Sequence, residues 1–213
     1  MLDPAGNETV LHSFTGGSIG GTDGADPIGG LISDPAGNLY GATFGGGPKN
    51  AGIVYKIDAS GNETVIYSFT GTPDGQYPMG NLARDPAGNL YGVTNVGGVN
   101  NLGSLFKVDS TGKETVLHSF GLAGDCEAPQ AGVVRDAQGN LLGTANGGRP
   151  DYGAVFRFDT VAGKETIVHF FKGGPSDGEY PVGELVIDSQ GYIYGATNEG
   201  GANNWGTIFK IGP

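Results

Sequence analysis

Apolar stretches of about six residues alternate with runs of Gly, Asn, Asp and Pro along the whole chain. None keeps a 3.6-residue period long enough to make a helix. Val, Ile, Tyr and Phe dominate these stretches, which is strand composition. Between residues 78 and 120 the pattern predicts four strands, at 78–85, 89–95, 103–109 and 114–120. Asp85-Pro86-Ala87-Gly88-Asn89 joins the first two and Asp109-Ser110-Thr111-Gly112-Lys113 the last two. Pro86 presets φ in the first turn, and a Gly takes the left-handed position in each. Connections this short force antiparallel neighbours.

The pattern recurs. Glu-Thr-Val-Leu-His-Ser-Phe starts at Glu8 and Glu114, Glu-Thr-Val-Ile-Tyr-Ser-Phe at Glu63, and Glu-Thr-Ile-Val-His-Phe-Phe at Glu165. Asp34, Asp85, Asp136 and Asp188 repeat at 51 or 52 residues. Four copies, at about 8–62, 63–113, 114–164 and 165–213, fill the chain as one repeat domain. Four-stranded antiparallel units at this period predict an all-β fold, a four-bladed β-propeller. Four copies disfavour a trefoil, and a meander within each copy disfavours a solenoid. The copies are out of phase with the chain ends, so the strand at 8–14 is expected to complete the last blade and close the ring. Pairing with a second copy into a larger ring is the alternative, so the expectation is a monomer or a ring-sharing dimer.

Small residues follow Pro27, Pro78, Pro129 and Pro181, which marks that strand as the innermost, where four chains crowd the axis. The Glu-Thr-Val strand is then outermost. Gly41, Gly92, Gly143 and Gly195 are expected to seat an aromatic from the neighbouring blade. Phe14, Phe69, Phe120 and Phe171, with Tyr55, Phe106, Phe156 and Phe209, are expected between blades.

Composition settles whether so much Gly (43) and Pro (12) means disorder: the period and a charged fraction of only 15% argue for packed structure. A net charge of −11 repels phosphate backbones, so nucleic acid is not expected as a partner. No apolar run approaches the roughly 20 residues that cross a bilayer, so no membrane insertion is expected. The first residues lack the basic and apolar regions of a secretory signal. Cys126 is the only cysteine, which excludes an internal disulfide and a cysteine-based zinc cluster.

Gly-Asn-Leu-Tyr-Gly-x-Thr at 37–43 and 88–94, then Gly-Gly, Asn-x-Gly, Phe-Lys-x-Asp and Glu-Thr-Val-Leu-His-Ser-Phe, resembles the GloVer tandem repeat of bacterial proteins. The third copy departs from it with Leu142 in place of Tyr. The resemblance implies export and an extracellular or cell-surface setting, and it implies no particular reaction.

In a meander blade the crossovers at 15–26, 70–77, 121–128 and 172–180 emerge at the same end as the loops between second and third strands. Loops on a rigid scaffold commonly carry function. Asp74, Tyr77, Asn101, Asp125, Glu127, Asp151, Tyr152, Asp177, Tyr180, Asn204 and Trp205 are therefore the candidate ligand-binding residues. Carboxylates and amides bond sugar hydroxyls while a ring stacks on the pyranose face. The reading is a non-enzymatic binding module for glycans or protein surfaces. A carbohydrate-active hydrolase or lyase, and a purely structural surface repeat, are the alternatives. Oxygen-rich loops also suit Ca²⁺, although no EF-hand or nonapeptide Ca²⁺ repeat occurs, so no cofactor is expected beyond that secondary candidate. His12, His118 and His169 lie on separate outer strands and are not expected to converge on a metal. No nucleophile elbow or phosphate loop appears, and no catalytic residue is assigned.

Overall fold

The computed structural model describes residues 6–16, 21–122, 125–148 and 152–212. The first repeat forms β1 (Gly24–Ala25), β2 (Ile32–Ser33), β3 (Leu39–Thr43), β4 (Gly45–Gly46), β5 (Ile53–Ile57) and β6 (Glu63–Ser68). The second forms β7 (Gly75–Arg84), β8 (Leu90–Gly97), β9 (Ser104–Val108) and β10 (Glu114–Ser119). The third forms β11 (Cys126–Pro129), β12 (Val134–Arg135), β13 (Leu141–Gly148), β14 (Ala154–Asp159) and β15 (Lys164–Phe170). The last forms β16 (Gly178–Ile187), β17 (Ile193–Gly200) and β18 (Thr207–Ile211). The described residues contain no helix. Each repeat is an antiparallel meander: β2-β3-β5-β6, β7-β8-β9-β10, β11 and β12 with β13-β14-β15, and β16-β17-β18.

The turns form as their residues dictate. In the second repeat Asp85 Oδ1 accepts the N–H of Asn89, and Oδ2 accepts from the Asn89 side chain and the Tyr91 hydroxyl. The same staple at Asp34, dominated by the Asn38 side-chain amide, holds that carboxyl down at about 2. The inner strands meet where glycine was expected. A Cβ on Gly29 would strike the carbonyl of Gly80, and one on Gly80 would strike Gly132. Across this point Asn81 of β7 donates its backbone N–H to Glu184 of β16 at 2.8 Å, and its side-chain amide to the same carboxylate.

Successive sheets pack face to face through aromatic contacts. Phe69 meets Phe106, Phe120 meets Phe156 and Phe171 meets Phe209, each edge-on at about 5 Å between ring centroids. These are seams between one sheet's outer end and the third strand of the next. One expectation is corrected here: the glycines of the second strands seat aromatics of their own sheet. Gly41 is paired with Tyr55 and Gly92 with Phe106 on the adjacent strand, and a Cβ on Gly92 would lie 2.6 Å from the Phe106 ring.

A second expectation is also corrected. The last sheet has three strands, and residues 8–14 are not laid down as its fourth. Glu8 makes an isolated bridge, while Leu11 and Phe14 pack on the first sheet, Phe14 edge-on to Tyr55 at 5.0 Å. Phe14 thus keeps the seam contact of an outer strand, as Phe69 does on Phe106, while the segment is not joined to β18. The four sheets therefore form a propeller-like array in which no ring is closed by that strand.

Candidate functional site

Crossovers and loops do share one end of the molecule, because they hydrogen-bond to each other. Tyr77, Ala128 and Tyr180 donate their N–H to the carbonyls of Ala51, Leu102 and Tyr152 on the preceding sheet's loop. Asp26, Tyr77, Ala128 and Tyr180 occupy the same repeat position, and all have φ between 49° and 60°. A left-handed backbone is costly for residues with a side chain, and persists where surrounding structure fixes it.

An aspartate closes each crossover. Asp74 Oδ1 accepts the N–H of Gly75, and Oδ2 accepts the N–H and hydroxyl of Thr70 and the hydroxyl of Tyr67. Asp125 binds the N–H groups of Cys126 and Gly121, with His118 Nε2 at 2.9 Å from Oδ2. Asp177 binds the N–H groups of Gly178 and Lys172, with His169 Nε2 at 3.4 Å. Asp23 repeats the pattern with Thr15, Gly24 and His12. These carboxylates are loop staples. Asp74 and Asp125 are buried, and Asp177 is half-buried.

The amides act likewise. Asn101 and Asn204 are left-handed, and their side-chain oxygens accept the N–H groups of Gly97 and Gly200. Glu127 is half-buried beside Gly147. Asp151 lies outside the described residues. The aromatics remain. Tyr77 stacks on Phe44, with centroids 4.4 Å apart and planes within 8°. Tyr152 is exposed and approaches Tyr180 edge-on at 6.5 Å. Trp205 is 90% exposed.

Beside the staples lies a feature the sequence reading missed. Glu63, Glu114 and Glu165, the first residues of the repeated Glu-Thr-Val motif, each hold an Oε1 shielded from solvent with no hydrogen-bond partner. Burial, then the neighbouring Asp74 charge, pushes Glu114 up to about 7. Burial and Asp125 do the same to Glu165. The signal was legible: a carboxylate opens the same apolar strand in every copy. His12, Asp23 and Glu63, and likewise His118, Asp125 and Glu165, bring one donor atom each within 4.8 Å of one another, so these are the residues that could hold a metal. A ring nitrogen in each set is unlike the all-oxygen shell of Ca²⁺. In the equivalent place Tyr67 bonds Asp74 as His118 bonds Asp125, which marks the position as a hydrogen-bond donor to the staple.

This geometry belongs to the propeller class. TolB from Acinetobacter baumannii is similar at 14% identity and a TM-score of 0.52, over 86% of this chain and 44% of that one. A structure assigned to a gluconolactonase family is similar at 16% and 0.52, over 98% and 65%. A chain of the nidogen/laminin complex is similar at 18% and 0.59, over 88% and 65%. The chain thus spans 44% to 65% of the length of these structures, and the likeness carries the fold alone. Comparison with curated proteins finds no match. The chain belongs to the Gloeobacter/Verrucomicrobia repeat family, whose model matches residues 1–209.

Proposed function

We propose that the protein is a non-enzymatic binding module that holds carbohydrate against the aromatic rings of its loop end, with Tyr77, Tyr152 and Tyr180 as the contact residues. One observation carries the reading: the aspartates that close the crossovers are spent on their own backbone. Glycosidic acid/base chemistry needs a carboxyl group free to reach the substrate. Asp74 and Asp125 are buried with both oxygens bonded, and Asp177 bonds the backbone through both of its oxygens. Rings beside polar rims suit sugar faces, which are apolar in the middle and hydroxylated at the edge. The side-chain amide nitrogens of Asn101 and Asn204, whose oxygens are taken by Gly97 and Gly200, and the Glu127 carboxylate supply that rim. The same reading puts the protein outside the cell, which protease treatment of intact cells would test.

An array of neutral and acidic glycans is the direct test. Bound signal is expected to fall at least about tenfold in Tyr180→Ala and Tyr152→Ala, the size of loss typical when a central aromatic contact is removed. Silence across the array contradicts the reading. So does capture of protein ligands alone, or glycan turnover that Asp177→Asn abolishes.

A further inference from the structure

Three times, the chain builds a seam between consecutive sheets from the same pair of positions. The third strand supplies Val54, Leu105 or Val155, and the next sheet's inner strand supplies Leu82, Val133 or Leu185. Val54 shares a core cluster with Leu82, Leu105 with Val133, and Val155 with Leu185. Val54, Leu105 and Val155 are each 0% exposed, and their partners 2% to 4%.

The repeat continues this pairing to a fourth seam. Its third-strand member is Ile208 on β18, and its inner-strand member is Leu31, beside β2. Ile208 is 82% exposed and Leu31 is 50% exposed. The loop residue preceding the glycine before the third strand differs in a related way, through its backbone carbonyl. Ala51, Leu102 and Tyr152 have their carbonyls capped by the next crossover, whereas their counterpart Trp205 is 90% exposed. One end of the array therefore presents Trp205 and Ile208, and the other presents Leu31. Each is half of an interface that this chain already makes three times. Ile208 and Leu31 are exposed apolar residues whose equivalents are buried in every other seam, and such a pair marks an interaction surface.

We propose that copies of this chain associate head to tail, with Ile208 and Trp205 of one copy packing against Leu31 of the next. A second copy is the occupant because it carries the exact complement of each exposed half. The chain leaves its own two halves apart, although Asn81 and Glu184 already tie the second and last sheets together at the axis. Such a contact is heterologous: it closes into a ring or extends as a chain, according to the rotation it imposes. It also completes a polar group. The first three seams place a glutamate beside the aspartate staple, whereas among the described residues no such cluster forms around His169 and Asp177. Glu8, the equivalent motif residue, is exposed, and the neighbouring copy brings it to that place.

Sedimentation equilibrium on the 213-residue chain, with Ile208→Glu and Leu31→Glu variants, tests this. The unaltered chain is expected to self-associate with concentration, and each variant to associate roughly ten- to a hundredfold more weakly, from the loss of one buried aliphatic contact. Mixed in equal amounts, the variants are expected to form a dimer and stop there, since each retains the half the other has lost. Trp205 emission should shift to the blue as the complexes form. Both positions are already exposed, and circular dichroism with a melting curve checks folding; Ile208→Ser and Leu31→Ser repeat the test more mildly. A monomeric unaltered chain at its highest soluble concentration overturns the proposal. So does a mixture that stays monomeric, or association that survives either substitution.

Discussion

Phe120 meets Phe156 edge-on across the seam between the second and third sheets, 5.1 Å between centroids, and both rings are wholly buried. The seam is thus a core shared by two repeats, and neither sheet can keep its apolar face dry alone. Phe120→Ala is expected to destabilise the protein by about 3–5 kcal/mol, through lost contacts and the cavity left behind. Phe14 makes the corresponding contact from the terminal segment and is only half-buried, so Phe14→Ala should cost less. Urea unfolding of both variants measures the difference.

Two glycines at one repeat position should behave differently. Gly80 and Gly183 both have φ near 65–70°, but a Cβ on Gly80 strikes the backbone of Gly132 while one on Gly183 meets open space. Gly183→Ala carries only backbone strain, about 1–2 kcal/mol. Gly80→Ala adds a clash with backbone that cannot rotate away, and more than about 3 kcal/mol is expected. Thermal melts of the pair separate crowding at the axis from the φ preference.

His118→Tyr should be close to neutral, because Tyr67 already fills this position and bonds its staple aspartate at 2.9 Å. His118→Ala removes a partner from the buried Asp125 and should cost about 1–3 kcal/mol. Equal losses in the two variants would show that the ring does more than donate to the staple.

Glu114 sets a pH dependence. Its carboxyl is raised from 4.5 to about 7 in the folded protein, so the native state holds a proton that the unfolded chain has released. Stability from this group is full below about pH 4.5 and declines as pH rises through 7. Glu114→Gln keeps the shape without the charge. Its melting midpoint should exceed that of the parent at pH 8, by no more than about 4 °C given the partial exposure of the site, and the two should converge at pH 4.5. A gain at pH 4.5 equal to that at pH 8 would contradict the assignment.

Periodicity made the scaffold readable before any coordinates. The strands expected at 78–85, 89–95, 103–109 and 114–120 correspond to β7, β8, β9 and β10. The glycines at the axis and the aromatic seams were legible because packing demands recur in every copy. The loop end was located correctly, but the work of Asp74 and Asp125 was not. Sequence places a carboxylate on a loop without telling whether it faces solvent or its own N–H groups. Asn81 and Glu184 had no signal at all, since their bond joins two repeats at positions where the other copies carry different residues. For residues 8–14 the motif's seam contact on the next sheet is kept through Phe14, but the expected pairing with β18 is not formed, because side-chain pattern specifies which face a strand packs and not its hydrogen-bonded neighbour.

Amide hydrogen exchange at low protein concentration, compared across the equivalent strands β5, β9, β14 and β18, tests the account most directly. The first three each lie between two neighbouring strands of their sheets, and their amides should be protected alike. The outward-facing amides of β18 should exchange faster by orders of magnitude. Protection of β18 equal to that of β9 in the dilute monomer would mean that the fourth seam is closed, and would contradict the open array described here.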